Sequence, residues 1–257
     1  MSSIDRSLLN RLLVLSAAIA EMIELESHML SEFRESTHQL AGRNEYLAFW
    51  LRAQSFFVSA QSLTDSKQIK QYYLTNTAKH WRFGIKALRH FFAHEIDFIP
   101  SLHTSVRFIP EEKVSISLEG FVIRTAEADL ILRNCVKNDW RRELRKKEKN
   151  GALPFGKVKM IYKKHRTTQL RTLNDWRSRP NENVVVITDI ATRHYLIAYE
   201  LLNALKRREQ TLASEVAEET AEYDSGVIPL KDKVKSIEDT VAKVKAYRDN
   251  KFKWSIN

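Results

Sequence analysis

Glycine and proline together supply only eleven of the 257 residues, six and five respectively. These are the residues that end helices and build tight turns, so a chain this poor in them has few places to break. Long helices joined by short polar connections follow. A sandwich or barrel of many strands would need a turn roughly every 8–12 residues. With 43% hydrophobic residues, the chain also carries enough apolar surface for a substantial core and is not a disordered polymer.

The apolar spacing fills in the elements. Ser3 or Ser7 caps a first helix running to about Glu35. Arg6, Arg11 and the apolar run at 12–20 have the look of a short secretory leader. The pattern runs on, however, through Met22, Ile23, Met29, Leu30 and Phe33, as a single amphipathic helix would. Residues 36–42 read as a turn, and residues 43–63 as a second helix rich in aromatics. Asp65 or Ser66 caps a third helical stretch beginning at Lys67. No apolar run reaches the length of a membrane span.

Residues 78–99, ending before Pro100, form the most informative helix. At about 100° per residue, Trp81, Ile85, Leu88, Phe92, Ile96 and Ile99 share one tight apolar stripe. Lys86, His90, His94 and Asp97 lie opposite, with Arg82 and Arg89 at one margin. Phe83, Ala87, Phe91 and Phe98 make a second, weaker apolar strip at the other. That spare flank predicts a second packing partner, such as another protomer.

Beyond Pro100, residues 105–109 and 114–118 alternate as two short strands connected by 110–113, and Gly120 punctuates. Residues 126–149 read as helix, and Asn150, Gly151 and 154–156 as loop. The run Val184, Val185, Val186, Ile187 is either a strand or the buried start of a helix reaching about Ala213. An acidic patch (Glu215, Glu218, Glu219, Glu222, Asp224) and the breakers Gly226 and Pro229 precede a last helix. Its Leu230, Val234, Ile237, Val241 and Val244 are spaced 4-3-4-3, a seam about two heptads long. Too short to stand alone, it either docks on the body or dimerises.

The segment Leu88-Arg89-His90-Phe91-Phe92-Ala93-His94-Glu95 carries the chemistry. It resembles the signature of the HEPN superfamily: Arg, a polar residue, three variable residues and His near the end of a helix. Arg89 matches the Arg, His90 the polar position and His94 the terminal His. The resemblance covers about residues 1–100 plus a closing helix near 188–213. It implies a dimerising helical bundle with two copies of the motif across one cleft, and metal-free RNA cleavage of the toxin or phage-defence kind. The 2′-hydroxyl is then the nucleophile; a base takes its proton, an acid protonates the leaving 5′-oxygen and a fixed cation holds the phosphorane. His94 is the acid/base, Arg89 the phosphate clamp and His90 a positioner or second proton carrier. Some HEPN toxins carry a Tyr two residues after the terminal His, modified by a partner nucleotidyltransferase; Ile96 stands there in this chain. Zinc is the competing use of His90 and His94, which face the same way at i, i+4; His80, Asp97 or His103 would have to supply a third ligand.

The net charge is +10, which favours a polyanionic partner. Residues 137–171 hold thirteen Lys and Arg against three acids, an excess of ten, so the imbalance is local. Arg141, Arg142, Arg145, Lys146, Lys147, Lys157, Lys159, Lys163, Lys164 and Arg166 are the candidate RNA contacts. Trp140, Phe155, Tyr162 and Trp176 are candidate stacking platforms. Gln54, Ser55, Ser59 and Gln61 are weaker polar candidates, and Asp189, Arg193 and His194 a structural group. The single Cys135 excludes an intramolecular disulfide and a cysteine metal cluster, which favours a reducing compartment.

The expected protein is therefore mainly α, a HEPN-like bundle with a small inserted β-hairpin and a C-terminal helix. Residues 1–103 are the helical core, 104–185 a basic insertion, 186–214 a closing core helix and 215–257 an acidic linker with the last helix. The expected activity is metal-independent endoribonuclease in the cytoplasm. No cofactor or metal is expected; RNA is the substrate, and the chain is a homodimer with a neutralising or activating protein partner and no membrane. The alternative is a non-catalytic RNA-binding or regulatory module, or a structural dimerisation protein.

Overall fold

The computed structural model describes residues 6–35, 43–66, 69, 79–94, 101–109, 113–148, 151, 153–177, 183–208 and 230–253. Among them the elements run α1 (Arg6–Glu35), α2 (Arg43–Thr64), α3 (Lys79–His94), β1 (Ser101–Ile109), β2 (Lys113–Arg124), α4 (Thr125–Glu148), α5 (Phe155–Trp176), β3 (Val184–Val186), α6 (Ile187–Arg208) and α7 (Leu230–Lys253). The chain is mainly helical with one small antiparallel sheet, the class that the scarcity of breakers predicts. The helical stretch expected from Lys67 lies outside the described residues apart from Ile69. So do the turn at 36–42, the connection at 110–112, residues 95–100 with Ile96, Asp97, Phe98 and Ile99, and the acidic patch at 215–224.

Leu8, Leu12, Leu15, Ile19 and Met22 recur at 4-3-4-3 spacing on α1 and are all buried. The leader-like run is thus part of a core helix. Each such side chain contributes about 1.5–3 kcal/mol by leaving water. Tyr46, Phe49, Trp50, Phe56 and Phe57 of α2 build the aromatic centre of that core. Phe92 of α3 sits between them, its ring 4.7 Å from Trp50 and 5.2 Å from Phe57. Ile85, Leu88 and Phe92 are buried as the stripe requires, and Trp81 packs at its edge.

The described part of the second apolar strip of α3 is also covered within the chain. Phe83, Ala87 and Phe91 are buried, Phe91 against Trp50 and the N-terminal half of α3 against α5. Gly84 is the closest approach, where a Cβ would stand 2.8 Å from Thr172 and 2.9 Å from Trp176. The second packing partner expected for this strip is supplied by the chain itself, α2 at Phe91 and the hairpin of α4 and α5 at Gly84. The second helix of that hairpin begins at Phe155, so 154–156 is a helix start capped by Pro154 and not a loop.

Gly120 does not end its strand. β1 pairs with β2 through a register shift that leaves Glu119 as an extra residue, and Gly120 takes φ +100° there. A bulge with glycine at positive φ lets β2 run on to Arg124 and pair with β3. The β-branched run divides accordingly: Val184–Val186 is strand, and the helix starts at Ile187.

The heptad seam of α7 docks on the body, chiefly on α1 and also on α6, burying Ile237, Val241 and Val244. A Lys243–Glu24 pair at 3.1 Å supports it, and the Tyr195 hydroxyl of α6 meets Ser16 at 2.7 Å and donates to the Ile237 carbonyl at 3.3 Å. Beneath these lies Glu26, fully buried, accepting hydrogen bonds from Thr188 and, at 2.6 Å, from the Tyr247 hydroxyl. No helix among the described residues is long and apolar enough to cross a membrane.

His194 of α6 is fully buried, and desolvation pushes its pKa down to about 3 from an ordinary 6.5. The fold therefore refuses a proton that the unfolded chain accepts below pH 6.5, so stability falls as pH drops from 6.5 towards 3. The expected loss between pH 7 and pH 5 is about 2 kcal/mol. Urea unfolding at both pH values checks it: His194→Gln should flatten the difference, and an unchanged difference rejects the assignment.

Candidate nucleic-acid interface

The cationic side of α3 is set by its apolar stripe. With Ile85, Leu88 and Phe92 turned inward, Arg89 is left half-buried and His90 exposed near the end of the helix. His94 is the last described residue of α3, and its side chain lies outside the described residues. His94 is five positions on from Arg89, about 7.5 Å along the axis and 140° around it. Zinc loses one of its suggested ligands here. His80 stands ten residues, about 15 Å, from His90 on the same helix. It is paired with Asp175, and burial lowers its pKa against the raising influence of that carboxylate. Asp97 and the His103 side chain lie outside the described residues.

The basic stretch folds as the antiparallel pair α4 and α5, and of its three acids Asp139 and Glu143 are turned to the inside, while Glu148 is exposed at the end of α4. Asp139 pairs with Lys86 of α3 and, at 2.9 Å, with Arg142. Glu143 meets His165 at 2.8 Å, Lys147 at 3.2 Å and Lys164 at 3.8 Å. Asp129 accepts from Gln169 at 2.6 Å and lies 3.9 Å from Arg166. Burial raises the Glu143 pKa, but bonds from His165 and Lys147 and the charge of Lys164 outweigh it and hold the carboxyl below its ordinary value. Outside, Arg141, Arg145, Lys146, Lys157, Lys159 and Lys163 are exposed and make no ion pair among the described residues. Six exposed cations against exposed Glu148 create a net positive field.

The aromatic candidates part company. Phe155 is 81% exposed and Tyr162 49%, the latter edge-on to half-buried Trp140 at 5.8 Å. Trp176 is 1% exposed and is a core residue beneath Gly84, so it is no platform for a base. Met160, 68% exposed, stands among the cations instead.

Between the end of α2, α3 and the hairpin lies a cleft of about 340 Å³ lined by Arg82, Lys86, Arg142, Lys164 and His165, with Asp65 and Asp139. Comparisons with protein-family models, with curated proteins and with solved structures find no match. The site is accordingly read from its own residues. Gln61 lines this cleft, whereas Gln54 and Ser59 are half-buried and Ser55 exposed along α2. Asp189 and His194 are buried, and Arg193 donates to the Asp175 carbonyl at 3.0 Å. Sequence reasoning missed the cleft because its acids seemed only to dilute a basic run. The signal available was the i, i+4 pair Asp139 and Glu143, which marks one face of α4 as different from the rest. Cys135 is buried, which pushes its thiol up to about 12 and leaves it unreactive.

Proposed function

We propose that this chain binds single-stranded RNA along the outer face of α4 and α5 and cuts it without metal at Arg89, His90 and His94. The observation that carries the binding half is the sorting of charge: Asp129, Asp139 and Glu143 turned inward, and six cations with no ion pair among the described residues interleaved with Phe155, Met160 and Tyr162 outward. Lysine and arginine release counterions from the phosphate backbone, and rings stack on unpaired bases. The cleavage half rests on the residue types at the end of α3 and their resemblance to the HEPN motif. A homodimer belongs to this reading. Arg89 and His94 diverge on one helix, so a composite cleft suits them, and Leu47, Leu51 and Val58 leave an exposed apolar strip on α2 for a second copy. A cytoplasmic location goes with it.

The deciding experiment incubates RNA with the purified chain in EDTA, beside an Arg89→Ala/His94→Ala variant of equal fold. Cleavage by the unaltered chain alone, leaving 2′,3′-cyclic phosphate ends, supports the reading. Persisting binding without cleavage moves it to the rival, a non-catalytic RNA-binding module, which the hairpin face alone would serve. The activity should sediment with a dimer; an active monomer rejects the composite cleft.

Charge reversal at Arg145, Lys146, Lys159 and Lys163 tests the track itself. Each phosphate contact adds about 0.7 to the slope of log affinity against log salt for a single strand. Losing four should flatten that slope by up to about 3 and weaken binding at low salt most. An unchanged slope rejects the track.

A further inference from the structure

The cleft between α2, α3 and the hairpin combines two features. First, its cations exceed its acids. Asp139 is shared by Lys86 and Arg142, and Glu143 behind it by Lys147, Lys164 and His165, so most of their N–H groups have no carboxylate of their own. Second, two buried polar atoms on its walls bond to nothing among the described residues. One is a donor, Arg82 Nε; the other is an acceptor, Gln61 Oε1. The Gln61 amide cannot be turned to remove the second, because its Nε2 donates to the Asp65 carboxylate at 3.2 Å. An orphaned buried donor and acceptor each cost free energy unless something fills the space.

A ligand that meets both must bring a strong anion and a hydrogen-bond donor together. We propose that this cleft is a nucleotide site, in which the phosphate ester lies among Lys86, Arg142, Lys164 and Arg82 Nε, and a ribose hydroxyl or base amino group donates to Gln61 Oε1. At about 340 Å³ the cleft has room for one nucleotide. That nucleotide is either free or one residue of a bound strand; the recognising chemistry is the same. The inference goes beyond the cleavage reading, since the cleft takes a nucleotide whether or not α3 cuts RNA.

Calorimetric titration of the full chain with 5′-AMP, adenosine and inorganic phosphate tests it, beside anisotropy with a short oligoribonucleotide. AMP should bind and adenosine should not. Lys86→Gln should weaken AMP by about tenfold or more, the size of a charge-assisted bond. Thr168→Tyr, which fills the cleft without removing a charge, should abolish AMP binding at an unchanged melting temperature. Gln61→Leu should narrow the advantage of AMP over phosphate. If AMP fails to bind but Thr168→Tyr weakens the oligonucleotide, the site takes a strand nucleotide. Adenosine binding as well as AMP overturns the proposal, as does indifference of both AMP and oligonucleotide to Thr168→Tyr. An absence of RNA cleavage leaves these titrations untouched, so the two readings fail separately.

Discussion

The Arg89→Ala/His94→Ala variant is expected to cut RNA at least about a thousandfold more slowly than the unaltered chain. General acid–base catalysis by a histidine contributes about 10²–10⁴-fold, and removing one preorganised electrostatic partner costs about 10²–10³-fold. The two losses do not multiply, because a clamp without its acid and an acid without its clamp serve the same transition state. Arg89→Lys should recover only part of the rate: it restores the charge but not the two-pronged fit to phosphate oxygens. Cleavage that needs one protonated and one neutral imidazole should peak near neutral pH and fall on both sides. Three measurements decide the matter together: the single-turnover rate in EDTA, its pH profile and the chemistry of the product ends. Equal rates for variant and unaltered chain would assign the cleavage to a contaminant and remove α3 from the mechanism.

What the sequence carried of this arrangement was whatever depends on local periodicity. The stripe of Ile85, Leu88 and Phe92 could be read because each helical turn repeats the same core contact. The seam of Ile237, Val241 and Val244 could be read as apolar, but not as to its partner, since a chain's own α1 and a second copy offer the same kind of surface. The flank of Phe83, Ala87 and Phe91 announced a second packing partner without saying which, for that reason: periodicity says that a face is covered, and only the tertiary fold says by what. Trp176 was misjudged because composition sees an aromatic among cations, while its burial depends on Gly84, 92 residues earlier. The cleft was illegible as a whole. Gln61, Lys86, Asp139 and His165 come from four helices, and no spacing links them. Nor could spacing tell that Asp139 and Glu143 would turn their charge inward and so leave the outer cations uncompensated.

Gly120→Ala is the second substitution with a large expected effect, and it acts through a residue nearly a hundred positions away. Two penalties fall at one point. The backbone holds φ +100°, which an L side chain resists at about 1–3 kcal/mol. A Cβ there would also fall on Glu26 Oε1 and stand 2.7 Å from its Cδ. Glu26 has little freedom to withdraw, being fully buried and held by Thr188 of α6 and Tyr247 of α7. Displacing it would disturb the junction of α1, the sheet and both late helices, and overpacking of a closed site costs about 1–3 kcal/mol more. The sum, about 4 kcal/mol, is a large part of the stability of an ordinary domain and should lower the melting temperature by roughly 10 °C. A double-mutant cycle separates the two penalties. In a Glu26→Ala background the conformational cost remains and the steric one vanishes, so Gly120→Ala should cost less there by about 1–3 kcal/mol. The same cost in both backgrounds would mean that the carboxylate does not press on the strand. The glycine would then answer to the bulge alone.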